Sequence, residues 1–174
     1  MAVLEILGFS HITVFPNLAK DVLKVGAVGF GIMNAFKSIG GLFAILLLSN
    51  LSENRQNASI WFMSILGLGI SFIILGNATD FIIAIIAITI LSGMTAVSDV
   101  YPQSIIQKSV TNEFRGRAMG AWVLSIGTAP IGHLGIGAIA GSFGAPIALL
   151  FNGVVLASAG VVTSLSLGKV RRLP

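Results

Sequence analysis

Charge is scarce in this sequence: Asp, Glu, Lys and Arg make up 9% of 174 residues, against roughly 25% in a typical soluble domain. An ordinary water-soluble globule is excluded by that deficit, and the mean hydropathy of +0.99 points the same way. Cysteine is absent, which removes disulfides, thiolate metal sites and cysteine nucleophiles together. Two His and one Tyr leave little for catalysis, so neither an enzyme nor a bound metal or cofactor is expected, and no nucleic-acid partner either.

What the chain does have is long uncharged stretches. Residues 118 to 168, 51 positions, carry no Asp, Glu, Lys or Arg, residues 56 to 79 and 81 to 98 are likewise uncharged, and residues 25 to 52 carry Lys37 alone. A spanning helix needs about 20 mainly apolar residues at a rise of about 1.5 Å each. With the longest run divided at Gly141–Pro146, the pattern predicts helices near 28–51, 59–78, 80–102, 118–141 and 146–167. The apolar segment from Met1 to about Asn17 is slightly short for a span and lacks the basic start of a signal peptide. It reads as a sixth helix, truncated at its beginning. No linker or low-complexity tract interrupts the chain, which predicts an all-α, polytopic transmembrane bundle forming one domain over 1–174 with the lipid bilayer as its first partner.

Short loops rich in Lys and Arg stay in the cytoplasm. One side of the predicted bundle collects Arg55, Lys108, Arg115, Arg117, Lys169, Arg171 and Arg172, and the other holds Lys20 and Lys24. The loops at 52–58 and 108–117 and the C-terminal tail are therefore placed in the cytoplasm, with the turns at 18–27, 76–80 and 141–146 outside. Trp61, Tyr101 and Trp122 then fall near cytoplasmic helix ends, where amphipathic rings favour the interface.

Polar residues inside spans are costly and turn toward a bundle interior or a watery cavity. Gly31, Asn34, Lys37, Gly41 and Ala44 recur at three- and four-residue spacing, which gives one small, polar helix face. Counted from Val28, Lys37 lies roughly 13 Å deep, and Glu5, counted from Asn17, roughly 18 Å. The two are expected to meet near the midplane as a substrate or proton pathway with Asn34 and His133; snorkelling of Lys37 and an interfacial Glu5 are the plainer alternative. Thr89, Ser92 and Ala96 form a small row, read as helix packing, that continues to Asp99 near the rim where Arg115 and Arg117 emerge. The glycines of 118–141 would allow close helix approach, and Pro130 would kink that helix. Gly135–Gly141 has no strand before it and is no dinucleotide loop.

Two segments carry a specific resemblance. Pro16-Asn17-Leu18-Ala19-Lys20-Asp21-Val22-Leu23 and Phe114-Arg115-Gly116-Arg117-Ala118-Met119-Gly120 resemble the "P-x-x-A-x-D-x-L" and "R-G-R-x-M" segments of the C-terminal half of major facilitator superfamily transporters. Within that superfamily the chain resembles the enterobactin and macrolide exporters. The resemblance covers essentially the whole chain and implies half of a twelve-helix fold, with Glu5 in the seventh helix, Lys37 in the eighth, Asp99 in the tenth and His133 in the eleventh. Two positions depart from the family. Its eighth helix is mostly small and apolar where this chain has Lys37, so the case for Lys37 rests on placement. The loop that resembles "D-R-x-x-R-R" in the family reads Ser52-Glu53-Asn54-Arg55-Gln56-Asn57 here, which shifts a cytoplasmic gate toward Arg115 and Arg117, with Glu53 and Asp99 as their acidic partners.

The expectation is half of a secondary active transporter exporting a small organic molecule by alternating access, in a bacterial inner (cell) membrane, partnered by an N-terminal half or another membrane chain. The alternative is a membrane scaffold or partner subunit that does not transport. A reporter fused after Pro174 that is active only in the cytoplasm is expected to be active; activity only outside would overturn the orientation of every loop.

Overall fold

The computed structural model describes residues 2–50 and 58–166. Among them there is no strand. The chain forms α1 (Ala2–Leu7), α2 (His11–Asn17), a π-helical turn (Leu18–Val22), α3 (Gly26–Asn50), α4 (Ala58–Gly76), α5 (Phe81–Ser109), α6 (Asn112–Ile126), α7 (Ala129–Phe143) and α8 (Ala145–Ser166). Grouped by continuity, these make six segments long and apolar enough to cross a membrane: Ala2–Val22, Gly26–Asn50, Ser59–Gly76, Phe81–Gln107, Asn112–Phe143 and Ala145–Ser164. The protein is an all-α bundle, and six such segments suggest that it is membrane-embedded.

Turn chemistry sets the boundaries. Between the π-helical turn and α3, Lys24 (φ 53°) and Gly26 (φ 65°) take left-handed backbone that ends one helix and reverses the chain. Asp80 caps α5, its carboxylate accepting from the backbone N–H of Ile82 (2.8 Å) and Ile83 (3.2 Å), which satisfies two donors that a helix start leaves without partners. Gly144 (φ 88°) alone separates α7 from α8.

Four sequence expectations change. The first span does not end near Asn17: the π-helical turn carries it to Val22, giving 21 residues, enough to cross. The loop expected at 108–117 contracts to Val110 and Thr111, so Arg115, Gly116 and Arg117 lie in the first turns of α6. Gly116 therefore serves no loop. The helix expected at 118–141 begins at Asn112 and breaks at Gly127–Thr128, which places Pro130 at the start of α7; a proline without an N–H is tolerated there. Because α5 ends later and α6 begins earlier than expected, Tyr101 lies eight residues before the end of α5 and Trp122 ten residues after the start of α6, rather than at the helix ends where the sequence places them.

Packing follows the small residues. Gly40 of α3 lies so close to the Thr89 backbone of α5 that a Cβ would collide with the Thr89 carbonyl, and Gly93 meets Gly40 and Ala44 in return. Thr89 and Thr95 turn their hydroxyls back onto the carbonyls of Ile85 and Leu91, so this helix satisfies its own polar groups while it packs. Gly69 and Gly153 bring α4 and α8 together in the same way, and Gly132 of α7 abuts the Ile6 carbonyl of α1. Gly137 of α7 lies in ordinary contact with Thr13 of α2, whereas Gly116, Gly120, Gly135 and Gly141 face open space and do not bring helices together.

The packing order has a regularity. The first span contacts the second, the fifth and the sixth; the fourth contacts the fifth, the second and the third; and the third lies against the sixth. Exchanging spans one, two and three for four, five and six reproduces these pairings, while the α7–α8 pairing has no equally close α3–α4 counterpart among the described residues. Two spans are left largely uncovered. Only 17% of the α3 window and 11% of the α6–α7 window are buried, against 39–50% elsewhere.

Gly40→Val is expected to separate α3 from α5 and to cost about 1–3 kcal/mol. Gly31→Ala in the same helix, where nothing lies within 4 Å of an added Cβ, is expected to be neutral or to stabilise by up to about 1 kcal/mol. Denaturant unfolding in micelles, followed by circular dichroism, compares the two.

Candidate functional site

The first span breaks at Gly8–Ser10, which frees carbonyls that a continuous helix would have satisfied. In an apolar interior each such group needs a partner. Asn152 of α8 donates to the Leu7 carbonyl (2.8 Å) and to Ser10 Oγ (2.9 Å), and Ser10 Oγ also donates to the Leu7 carbonyl (3.1 Å). His11 Nδ1 donates to the Gly8 carbonyl at 2.7 Å. His11, Ser10 and Asn152 are all buried, and the His11 ring stands edge-on to Phe72 of α4, centroids 5.4 Å apart. Three spans thus converge on one irregular turn.

Lys37 comes to this turn from α3. Its Nζ sits 5.8 Å from the centroid of the Phe15 ring, and Phe15 in turn lies 5.4 Å from Phe30. Phe15 follows His11 by four residues and so shares its helix face. On the opposite side, Thr13 Oγ1 and His133 Nδ1 of α7 are hydrogen-bonded at 2.7 Å. Asn34 Nδ2 donates to the Phe30 carbonyl of its own helix.

The structure does not bring Glu5 to Lys37. Measured from Val22, where the first span ends, Glu5 is 17 residues down and roughly 25 Å deep, past the level of Lys37, which faces Phe15 instead. Glu5 is buried and within electrostatic range of Asp99, an acid rather than a base. Asp99 is half-buried, and Arg115 and Arg117 are exposed on α6; among the described residues no Arg or Lys forms an ion pair with Asp99 or Glu5. Glu53 lies outside the described residues.

Sequence reasoning missed His11, Ser10, Asn152 and Trp61 as working groups. Trp61 of α4 donates through Nε1 to the Ser98 carbonyl of α5 at 3.2 Å. Pro102, four residues later in α5, has no N–H to offer that carbonyl. An Asn in the middle of an apolar span, as at 152, is a signal the cost of polar burial could have flagged; the partnership of Trp61 with Pro102 crosses 41 positions and leaves no local trace. Compared with family models, with curated proteins and with solved structures, the chain matches none.

Asn152→Leu is expected to remove one of the two donors to the Leu7 carbonyl, and with it the tie between α8 and the first span, and to destabilise the bundle by about 0.6–2 kcal/mol, whereas Asn34→Leu, whose amide bonds only within α3, is expected to cost less. Urea or detergent unfolding of the two variants measures the difference.

Proposed function

We propose that this chain is half of a secondary active transporter of the major facilitator type, exporting a small organic molecule by alternating access. The observation that carries the reading is the packing order: six consecutive crossings alternate in direction, so a packing pattern that repeats between spans one to three and four to six relates oppositely directed triplets. Inverted repeats of three plus three helices are how the halves of such carriers are built. The two largely uncovered spans support the same reading. In a two-half carrier the substrate path runs between the halves, and α3 and α6–α7 are the spans of this bundle with surface to spare for it. Lys37 and Asn34 lie on the first of them and His133 on the second.

In this reading Lys37, His133, Asn34 and Glu5 supply the polar pathway, Lys37 acting with the broken first span rather than with Glu5. Arg115 and Arg117, exposed at the start of α6, serve the cytoplasmic gate with Asp99 and Glu53 in a conformation that brings them together. The Lys and Arg bias puts this end and the C-terminus in the cytoplasm, in a bacterial inner membrane. The chain's partners are the lipid bilayer, a second half and the small-molecule substrate.

The absence of cysteine makes the decisive measurement direct. Gly31→Cys in α3 and Gly135→Cys in α7 add side chains where nothing lies within 4 Å, and Ile74→Cys occupies an exposed apolar position on α4. With the partner half present, the first two are expected to react with a water-soluble maleimide and the third to stay unlabelled. If Gly31→Cys and Gly135→Cys are as inert as Ile74→Cys, the uncovered spans face lipid and the chain is a scaffold.

A further inference from the structure

The helix break holds a group that hydrogen bonding within the bundle does not use. His11 is 2% exposed, and its Nδ1 faces the Gly8 carbonyl at 2.7 Å. A carbonyl can only accept, so Nδ1 carries the hydrogen and Nε2 of the neutral ring is a bare lone pair. Nε2 is buried and has no hydrogen-bond partner. An imidazole fixed in one tautomer by a backbone carbonyl, with its basic nitrogen unused, is set to take a proton without changing its other bond.

The surroundings decide what such a proton would meet. From α3, the Lys37 ammonium stands over the Phe15 ring, one turn along the same face of α2. From α7, His133 lies within electrostatic range, held by Thr13. The first span itself brings Glu5, two turns away, with Asp99 of α5 near it. The described parts of α4 and α8 carry no ionisable side chain and face His11 with neutral groups, Phe72 and Asn152. Glu113, Arg115 and Arg117 of α6 are exposed in its first turns. The nearest fixed charge on the face of His11 is therefore positive.

We propose that His11 is a proton-binding residue of this half and that the Lys37 ammonium competes with the proton it takes. The step is a simple transfer: hydronium gives its proton to Nε2, so that one O–H bond breaks, one N–H bond forms and water is left, while Nδ1 keeps its bond to Gly8. Two cations within electrostatic range of one another in an apolar interior repel, so loading His11 drives Lys37 off the Phe15 ring or discharges it. Either change loosens the contact between the first span and α3. The proposal rests on the carrier reading, in which it names the coupling ion as a proton.

Nitrogen NMR of histidine tests this without a known substrate, because the chain has two His. In ¹⁵N-histidine-labelled chain carrying His133→Gln, reconstituted in lipid nanodiscs, the remaining ring is expected to show two well-separated nitrogen resonances at neutral pH, with the hydrogen on Nδ1. On acidification they are expected to converge reversibly while helicity is retained. Adding Lys37→Met is expected to move the convergence to higher pH, because it removes a like charge that opposes protonation of the ring. Lys20→Met, at the exposed end of the span, is expected to leave it in place. Hydrogen on Nε2, resonances that never converge before helicity is lost, or a convergence that Lys37→Met does not move would each overturn the proposal. If His133→Gln fails to fold, assignment by the signal lost in His11→Gln gives the same reading from the two-His chain. A negative result leaves the maleimide labelling of Gly31→Cys and Gly135→Cys unaffected, so failure here and failure of the carrier reading are distinguishable.

Discussion

A backbone carbonyl in an apolar interior must have a donor, and most of the polar detail in this bundle answers that requirement. Where the first span breaks, Asn152, Ser10 and His11 supply donors to the Leu7 and Gly8 carbonyls. Where Pro102 withholds an N–H, the Trp61 indole reaches the Ser98 carbonyl from another helix. At the break between α6 and α7, the hydroxyls of Ser125 and Thr128 fold back onto the carbonyls of Trp122 and Ser125. At these three places a side chain satisfies the irregular backbone. Two of those side chains, Asn152 and Trp61, also tie one helix to another.

Close approach is the second constraint. Without a hydrophobic drive between helices in lipid, association depends on packing and on interhelical hydrogen bonds. Gly40 against Thr89, Gly69 against Ala157 and Gly132 against Ile6 mark the seams where backbones nearly touch. They join α3 to α5, α4 to α8 and α1 to α7, and they leave α3 and α6–α7 with their remaining faces uncovered.

Much of the site was legible one residue at a time and little of it in pairs. Lys37 was visible as a lone charge in a span, and it does turn toward other helices, yet its neighbour is the Phe15 ring. The pairing with Glu5 failed on depth: the π-helical turn after Asn17 adds five residues to the first span and carries Glu5 beyond the level of Lys37. Nothing in the local pattern of Leu18–Val22 distinguishes a loop from a helix that widens after Pro16. The expected loop around Arg115 was misread for a related reason. Four charged residues between 108 and 117 look like a solvated connection, but Val110 and Thr111 suffice to reverse the chain.

The sequence by itself determined that this chain is helical, that it forms six apolar segments, and roughly where each begins, because segment length, hydropathy and the placement of Gly, Pro and Asp act locally along the chain. Only the tertiary structure decided which polar residues meet. Asn152 lies 145 positions from Leu7, His133 120 from Thr13, and Trp61 37 from Ser98. Such contacts depend on the depth and rotation of each helix in the bundle, and a shift of one turn, about 5.4 Å, is enough to exchange one partner for another.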